Sequence, residues 1–189
     1  MLNPDFWRVK FEAGLPYDQY VAGGTPDQQA KWGRVHQQIR LKMDQNNLIA
    51  GFTRRINVLV TSGIWCGDCA AQVPMLDHIA KGSTSVDLRI LDRDDHIDLS
   101  EQIMICGGLR VPTAVFLTEE FDFVAILGDK TLSRLRARAA KSLGAFCPLP
   151  GVEVDADEAA ATLADWVREF EFAHLMARLS PKLRAKHGD

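Results

Sequence analysis

The feature that most constrains this chain is a pair of cysteines with two residues between them, set where an apolar run gives way to a helix. Residues 56–60, Ile56-Asn57-Val58-Leu59-Val60, form a short β-branched run of the kind found in buried parallel strands. Ser62-Gly63 breaks that run, Cys66-Gly67-Asp68-Cys69 follows, and residues 66–80 read as a helix. A cysteine at a helix N-cap meets free backbone N–H groups and the positive end of the helix dipole, and both stabilise a thiolate. The second cysteine lies one turn later, close enough to close a disulfide and more deeply buried. In such a pair the exposed thiolate attacks a disulfide and the second thiol resolves the mixed disulfide. Cys66 is placed for the first role and Cys69 for the second. Zinc knuckles share the C-x-x-C spacing, so the pair alone leaves redox chemistry and metal binding both open.

The rest of the sequence narrows the setting. A length of 189 residues suits one ordinary domain with additions, and 47% apolar with 25% charged residues is the balance of a globular protein with an ample core. A net charge of −3 gives no reason to expect nucleic acid or an anionic membrane as a partner. The basic clusters Arg134, Arg136, Arg138 and Lys182, Arg184, Lys186 lie on or beside expected helices and read as solvated faces. The first residues lack the basic start and apolar run of a secretory signal, and no segment approaches the roughly 20 apolar residues that span a bilayer. The expectation is a cytoplasmic protein. In a reducing compartment, four cysteines in a chain of this length do not read as a disulfide scaffold.

Along the chain, Pro4, Gly14, Pro16 and Gly23-Gly24 make the first 25 residues read as irregular, with at most a short helical turn. A helix then starts with Thr25 as N-cap, Pro26 at the first helical position and Gln28 completing a capping box. Trp32, Val35, Ile39 and Met43 continue it as one buried stripe, fading near Asn46-Asn47 or at Gly51. After the cysteine helix come a strand over residues 86–91, a polar loop over 92–98, a short helix over 99–105, and a strand pair over 111–117 and 123–127. A helix from Thr131 places Leu132, Leu135, Ala139 and Leu143 on one face. Residues 146–151, with two prolines, cannot be regular structure. A last helix starts near Asp155 or Asp157, Asp155 and Glu158 forming a capping-box pattern. It carries Leu163, Val167, Phe170 and His174 with Trp166 and Ala173 beside them, and ends before Ser180-Pro181. The pattern divides into an N-terminal segment (1–54), a sandwiched α/β sheet unit (55–143) and a C-terminal extension (144–189).

Trp65-Cys66-Gly67-Asp68-Cys69 resembles the W-C-G-P-C motif of thioredoxins, with Asp68 in place of proline. Pro74 resembles the proline at which that family's active-site helix kinks, Val111-Pro112-Thr113 resembles its cis-proline loop, and Gly128 resembles the glycine bordering its substrate groove. These landmarks keep thioredoxin spacing over residues 55–143, and the Gly-Asp pair resembles a bacterial branch of the family. The resemblance implies the thioredoxin fold, a central mixed sheet flanked by helices, here with additional N- and C-terminal helices. It implies Cys66 as nucleophile and Cys69 as resolving thiol. It further implies that a cis Pro112 shields the thiolate from metal and water, that Val111 presents its backbone to an extended substrate, and that Trp65 and Gly128 border the groove. No organic cofactor is needed. Substrates would be disulfides of proteins or small thiols, with a thioredoxin-reductase-type donor or a small thiol supplying electrons.

Two departures from the family pattern stand out. The buried acid that thioredoxins carry six residues before the first cysteine is Val60 here, so Cys69 must lose its proton to water or to another group such as Asp68. The Asp68 carboxylate suits a helix N-terminus but opposes a thiolate, which predicts a Cys66 pKa nearer that of a free thiol than in a strongly oxidising family member. Cys106 and Cys147 read first as small buried hydrophobes, with a third redox thiol at Cys106 or four-cysteine metal ligation as alternatives. His36, His78, His96, His174 and His187 show no metal-ligand spacing, His78 is too far along the helix to serve as a base, and Asp92, Asp94 and Asp95 read as a solvated loop. The rival to an oxidoreductase is an interaction module that kept the fold without the chemistry.

Overall fold

In a computed structural model of the chain, residues 2–142 and 157–189 are described. Strand β1 (Ile56–Ser62) is central in a four-stranded mixed sheet of order β2-β1-β3-β4. It runs parallel to β2 (Val86–Asp92) and antiparallel to β3 (Thr113–Thr118), which turns back into β4 (Phe123–Gly128). Parallel neighbours need a crossover, and α5 (Gly67–Lys81) supplies it between β1 and β2. Every β1 residue is buried because both faces of the sheet are covered. Ile56, Val58 and Val60 face the larger core, with Val73, Leu76 and Ile79 of α5 and Trp166 and Phe170 of α8 (Glu158–Leu179). Leu59 faces the other way, into a second core with Trp7 and Phe11 of α1 (Pro4–Ala13).

The N-terminal segment is more regular than its prolines and glycines suggest. Asn3 caps α1 by accepting from Phe6 N at 2.8 Å, Pro4 occupies the first turn and Gly14 closes the helix. Pro16 then precedes α2 (Tyr17–Ala22). These residues mark helix ends, where a proline lacks no needed donor and a glycine is tolerated. Between α1 and α2, Leu15 exchanges two backbone hydrogen bonds with Ile90, of 2.9 and 2.8 Å, fastening the segment to the β2 edge.

The helix from Pro26 has the expected Thr25 capping box but does not run on to Met43. It divides into α3 (Pro26–Gln38) and α4 (Met43–Ala50), with Ile39 extended and buried and Met43 80% exposed. Arg40 Nη1 donates to the Gln37 and Ile39 carbonyls at 2.6 and 2.7 Å, satisfying acceptors freed at the α3 end. Burying Ile39 in the core outweighs the helical propensity of the stretch.

The 92–105 region holds only one turn of helix, α6 (Ile97–Ser100). In α7 (Leu132–Ser142) the expected stripe faces outward, Leu132 and Leu135 being about half exposed while Ser133 and Ala137 are buried. The helix is rotated because Ser133 N donates to Asp165 Oδ2 at 2.7 Å and Arg134 reaches inward to two carboxylates. Arg134 is therefore not a solvated residue. Leu143, Cys147, residues 146–151 and Asp155 lie outside the described residues. The α8 stripe is buried as read, with Asp157 as N-cap accepting from Ala160 N. A further helix, α9 (Pro181–His187), continues past the expected stop; its Lys182 and Lys186 pair with Glu119, Glu120 and Asp122 of the β3–β4 turn. Among the described residues no helix is long and apolar enough to cross a membrane.

Candidate active site

The end of β1 delivers the cysteine pair. After Ser62 the chain turns through Gly63, where a β-carbon would come within 2.8–2.9 Å of two Trp65 ring carbons. Only a residue with no side chain lets the indole fold back over the loop. The ring remains 51% exposed, with the Arg93 guanidinium 4.8 Å from a ring centroid. Cys66 is the N-cap of α5, and its Sγ accepts from Cys69 N at 3.5 Å. Cys66 is half-buried and Cys69 fully buried, and both are free thiols. Opposite them, Cys66 Sγ lies 3.8 Å from the Val111 carbonyl oxygen, to which it donates only when protonated. The Val111–Pro112 peptide bond is cis. Thr113 pairs with Gly128 across the β3–β4 ladder, where a β-carbon on Gly128 would fall 2.6 Å from both Pro112 O and Thr113 Oγ1. The structure thus brings Trp65, Cys66, Cys69, Val111, Pro112 and Gly128 to one end of the sheet.

The electrostatics of the pair are set less by Asp68 than by the two cysteines themselves. A hydrogen bond from the Cys69 thiol is the main cause that lowers the Cys66 pKa to about 6; burial opposes it, and the Cys69 and Asp68 N–H groups add to the lowering. Repulsion by the Asp68 carboxylate is a minor opposing effect, because Asp68 is not a lone charge. Lys130 Nζ lies 3.0 Å from Asp68 Oδ2 and Arg134 Nη2 lies 2.7 Å from Oδ1. Burial alone would raise the Asp68 pKa, and the two cations outweigh it and hold it below the usual carboxylate value. Cys69 is pushed the opposite way, first by burial and then by its bond to Cys66. A thiolate is thus held at Cys66 and a protonated thiol at Cys69.

A thioredoxin family model matches residues 14–131, more than half of the chain. The chain belongs to the thioredoxin family. No curated protein matches it in sequence. Among solved structures, it is similar to a protein of unknown function from Pseudomonas aeruginosa, with a TM-score of 0.70 and 19% identity over 89% of this chain and 95% of that one. An HIV epitope-scaffold gives 0.61 and 20% identity over 88% of this chain and 92% of its own. Both likenesses concern the fold.

This thioredoxin-family chain places at the site several polar residues to which the sequence alone assigns no role there. Lys130 and Arg134 flank Asp68, and Gln72 Nε2 donates to the Asp129 carbonyl at 2.9 Å. Behind Cys69, Tyr20 donates to Asp92 Oδ2 at 3.3 Å, so Asp92, the last residue of β2, belongs to a part-buried contact and not simply to a solvated loop. Ser62, read as a strand breaker, is the last residue of β1, fully buried and in register with Asp92. Cys106 is an exposed turn residue with φ of 50°, so it is not a buried hydrophobe. The histidines lie elsewhere: His36 pairs with the buried Asp77 at 2.7 Å, His78 contacts the His36 carbonyl, His174 accepts from Thr53 N and Arg54 N, His187 pairs with Glu119, and His96 lies by α6.

Proposed function

We propose that this chain is a thiol–disulfide oxidoreductase in which Cys66 attacks and Cys69 resolves. The observation that carries the reading is a half-buried Cys66 Sγ at the N-terminus of α5, held by the Cys69 N–H, with its pKa lowered to about 6. At neutral pH such a group is largely thiolate, the nucleophilic form. It attacks one sulfur of a substrate disulfide, forming a Cys66 mixed disulfide and releasing the other sulfur as a thiolate. Cys69 then attacks Cys66 Sγ, closes the intramolecular disulfide and releases the second substrate sulfur. Two electrons pass from the chain to the substrate, and an external dithiol returns them.

Trp65, Val111, Pro112 and Gly128 form the groove in this reading, with the Val111 backbone meeting an extended substrate as a neighbouring strand would. The Gly67-Asp68 pair supports membership of a bacterial Trp-Cys-Gly-Asp-Cys branch of the family, and the reading takes a cytoplasmic setting with a reductase or small thiol as electron donor. Residues 55–143 carry the cysteine pair and the groove, and 1–54 and 144–189 are extensions. The test is mild oxidation followed by peptide mapping, together with insulin reduction by the parent, Cys66→Ser and Cys69→Ser. A Cys66–Cys69 link and turnover lost in both variants are expected. No such link and no turnover would leave the fold as a non-catalytic module, and turnover that survives Cys66→Ser would remove Cys66 as the nucleophile.

A further inference from the structure

Resolution requires the Cys69 thiol to lose a proton inside the protein, and position 60, which faces the same core, carries only a valine. While Cys66 is a thiolate, the Cys69 thiol donates to it. Once Cys66 is bound in a mixed disulfide that acceptor is gone, and the proton needs another destination. Ser62 Oγ is the neighbouring oxygen. It is fully buried with no partner in hydrogen-bonding geometry, yet it lies close enough to the Cys69 thiol and the Tyr20 hydroxyl to favour the ionised form of each. A buried hydroxyl without a partner is uncommon and calls for a reason. Tyr20 in turn donates to Asp92, the residue in register with Ser62 on the neighbouring strand. Register partners in a parallel pair share a face, which is how Ser62, Tyr20 and Asp92 come together behind Cys69.

We propose that Ser62, Tyr20 and Asp92 form a proton path from Cys69 to solvent during resolution of the mixed disulfide, a role that rests on the oxidoreductase reading above. As Cys69 Sγ bonds to Cys66 Sγ and the bond from Cys66 to the substrate sulfur breaks, the Cys69 proton passes to Ser62 Oγ. The Ser62 proton passes to the Tyr20 oxygen and the Tyr20 proton to the Asp92 carboxylate. The substrate sulfur leaves with the electron pair, and Asp92 returns its proton to water. A cavity of about 300 Å³ lined by Tyr20, Ile64, Asp92, Asp95 and His96 gives that end of the path its outlet. Burial, above all, raises the Tyr20 pKa, so the hydroxyl stays protonated and passes protons without holding a charge.

Tyr20 comes from the N-terminal extension. Its position depends on the Leu15–Ile90 bridge and on Gly14, where a β-carbon would lie 2.7 Å from Arg89 Cβ. The Tyr20 hydroxyl faces Cys69 from α5, Ser62 from β1 and Asp92 from β2, with Asp95 and His96 across the cavity; α3 presents the Trp32 ring.

The experiment separates the two steps by stopped flow, using an aromatic disulfide whose thiolate absorbs on release, for the full-length parent, Tyr20→Phe, Ser62→Ala and Tyr17→Phe. Tyr20→Phe keeps the ring against Trp32. Tyr17→Phe removes a buried, unpartnered hydroxyl that lies off the path and serves as the control. The expected result is unchanged attack by Cys66 in all variants. Resolution slows by about a hundredfold in Tyr20→Phe and Ser62→Ala, the low end of what a positioned proton acceptor contributes, and the gap narrows as pH rises and hydroxide takes the proton. Resolution within about twofold of the parent in Tyr20→Phe, or equal slowing in Tyr17→Phe, or slowing that does not vary with pH, overturns the path. A parent that forms no mixed disulfide would instead defeat the oxidoreductase reading.

Discussion

Lys130→Met tests how the site keeps a thiolate beside a carboxylate. Lys130 Nζ bridges Asp68 at 3.0 Å and Asp129 at 2.5 Å, and its side chain is almost fully buried. The substitution leaves Asp68 with Arg134 alone and removes a positive charge from the neighbourhood of Cys66. Two unit charges about 4 Å apart interact by about 1 kcal/mol in bulk water and about 4 kcal/mol near a protein surface. Asp68 is partly exposed and remains half compensated, so the lower figure applies, and about 1.4 kcal/mol corresponds to one pH unit. The Cys66 midpoint, lowered to about 6 in the parent, should therefore rise by up to about one unit. The folded reduced chain binds fewer protons than the unfolded one between that midpoint and the ordinary thiol value. Cys66 thus adds stability as pH rises through this window and loses it as pH falls through the midpoint. Lys130→Met should shrink that gain, besides costing stability through the broken pair, by less than the roughly 3–5 kcal/mol of a fully buried one. The assay is thiolate absorbance or alkylation rate against pH for the parent, Lys130→Met, Asp68→Asn and the double variant. Asp68→Asn should lower the midpoint slightly, and the double variant should return towards the parent. A midpoint unmoved in Lys130→Met, or moved equally in the double variant, would refute the compensation argument.

Gly128→Ala should disturb the groove, since its β-carbon would meet Pro112 O and Thr113 Oγ1 at 2.6 Å and Thr113 Cα at 2.8 Å. A stability loss of about 1–3 kcal/mol is expected from urea unfolding, with reduction of insulin falling more than reduction of a small disulfide. Phe170→Ala removes a wholly buried ring packed edge-on against Phe116 with centroids 5.2 Å apart. It should cost about 3–5 kcal/mol in the same assay, and a loss under about 1 kcal/mol would mean that α8 is not part of the sheet's core.

The sheet and the cysteine helix were legible because their signals are local. The β-branched run at Ile56 and the Thr25 capping box each read directly from neighbouring residues, as did the buried α8 stripe from Leu163 to His174. The N-terminal helices are not legible locally, because Pro4, Gly14 and Pro16 read as breakers although they sit at helix ends. The division between α3 and α4 has no proline or glycine to announce it; it follows from Ile39 turning into the core.

The sequence by itself determined where the two sulfurs lie: C-x-x-C after a buried strand places one at a helix N-terminus and the other a turn deeper. Only the tertiary structure decided what those sulfurs feel. Asp68 reads as a repelling charge until Lys130 and Arg134, more than sixty residues away in sequence, fold against it. Position 60 reads as a missing acid until Tyr20 and Asp92, from an extension and a neighbouring strand, meet Ser62 behind Cys69. Connectivity is a local property of the chain, whereas charge compensation and proton access depend on distances of a few ångströms between remote segments, which only packing sets.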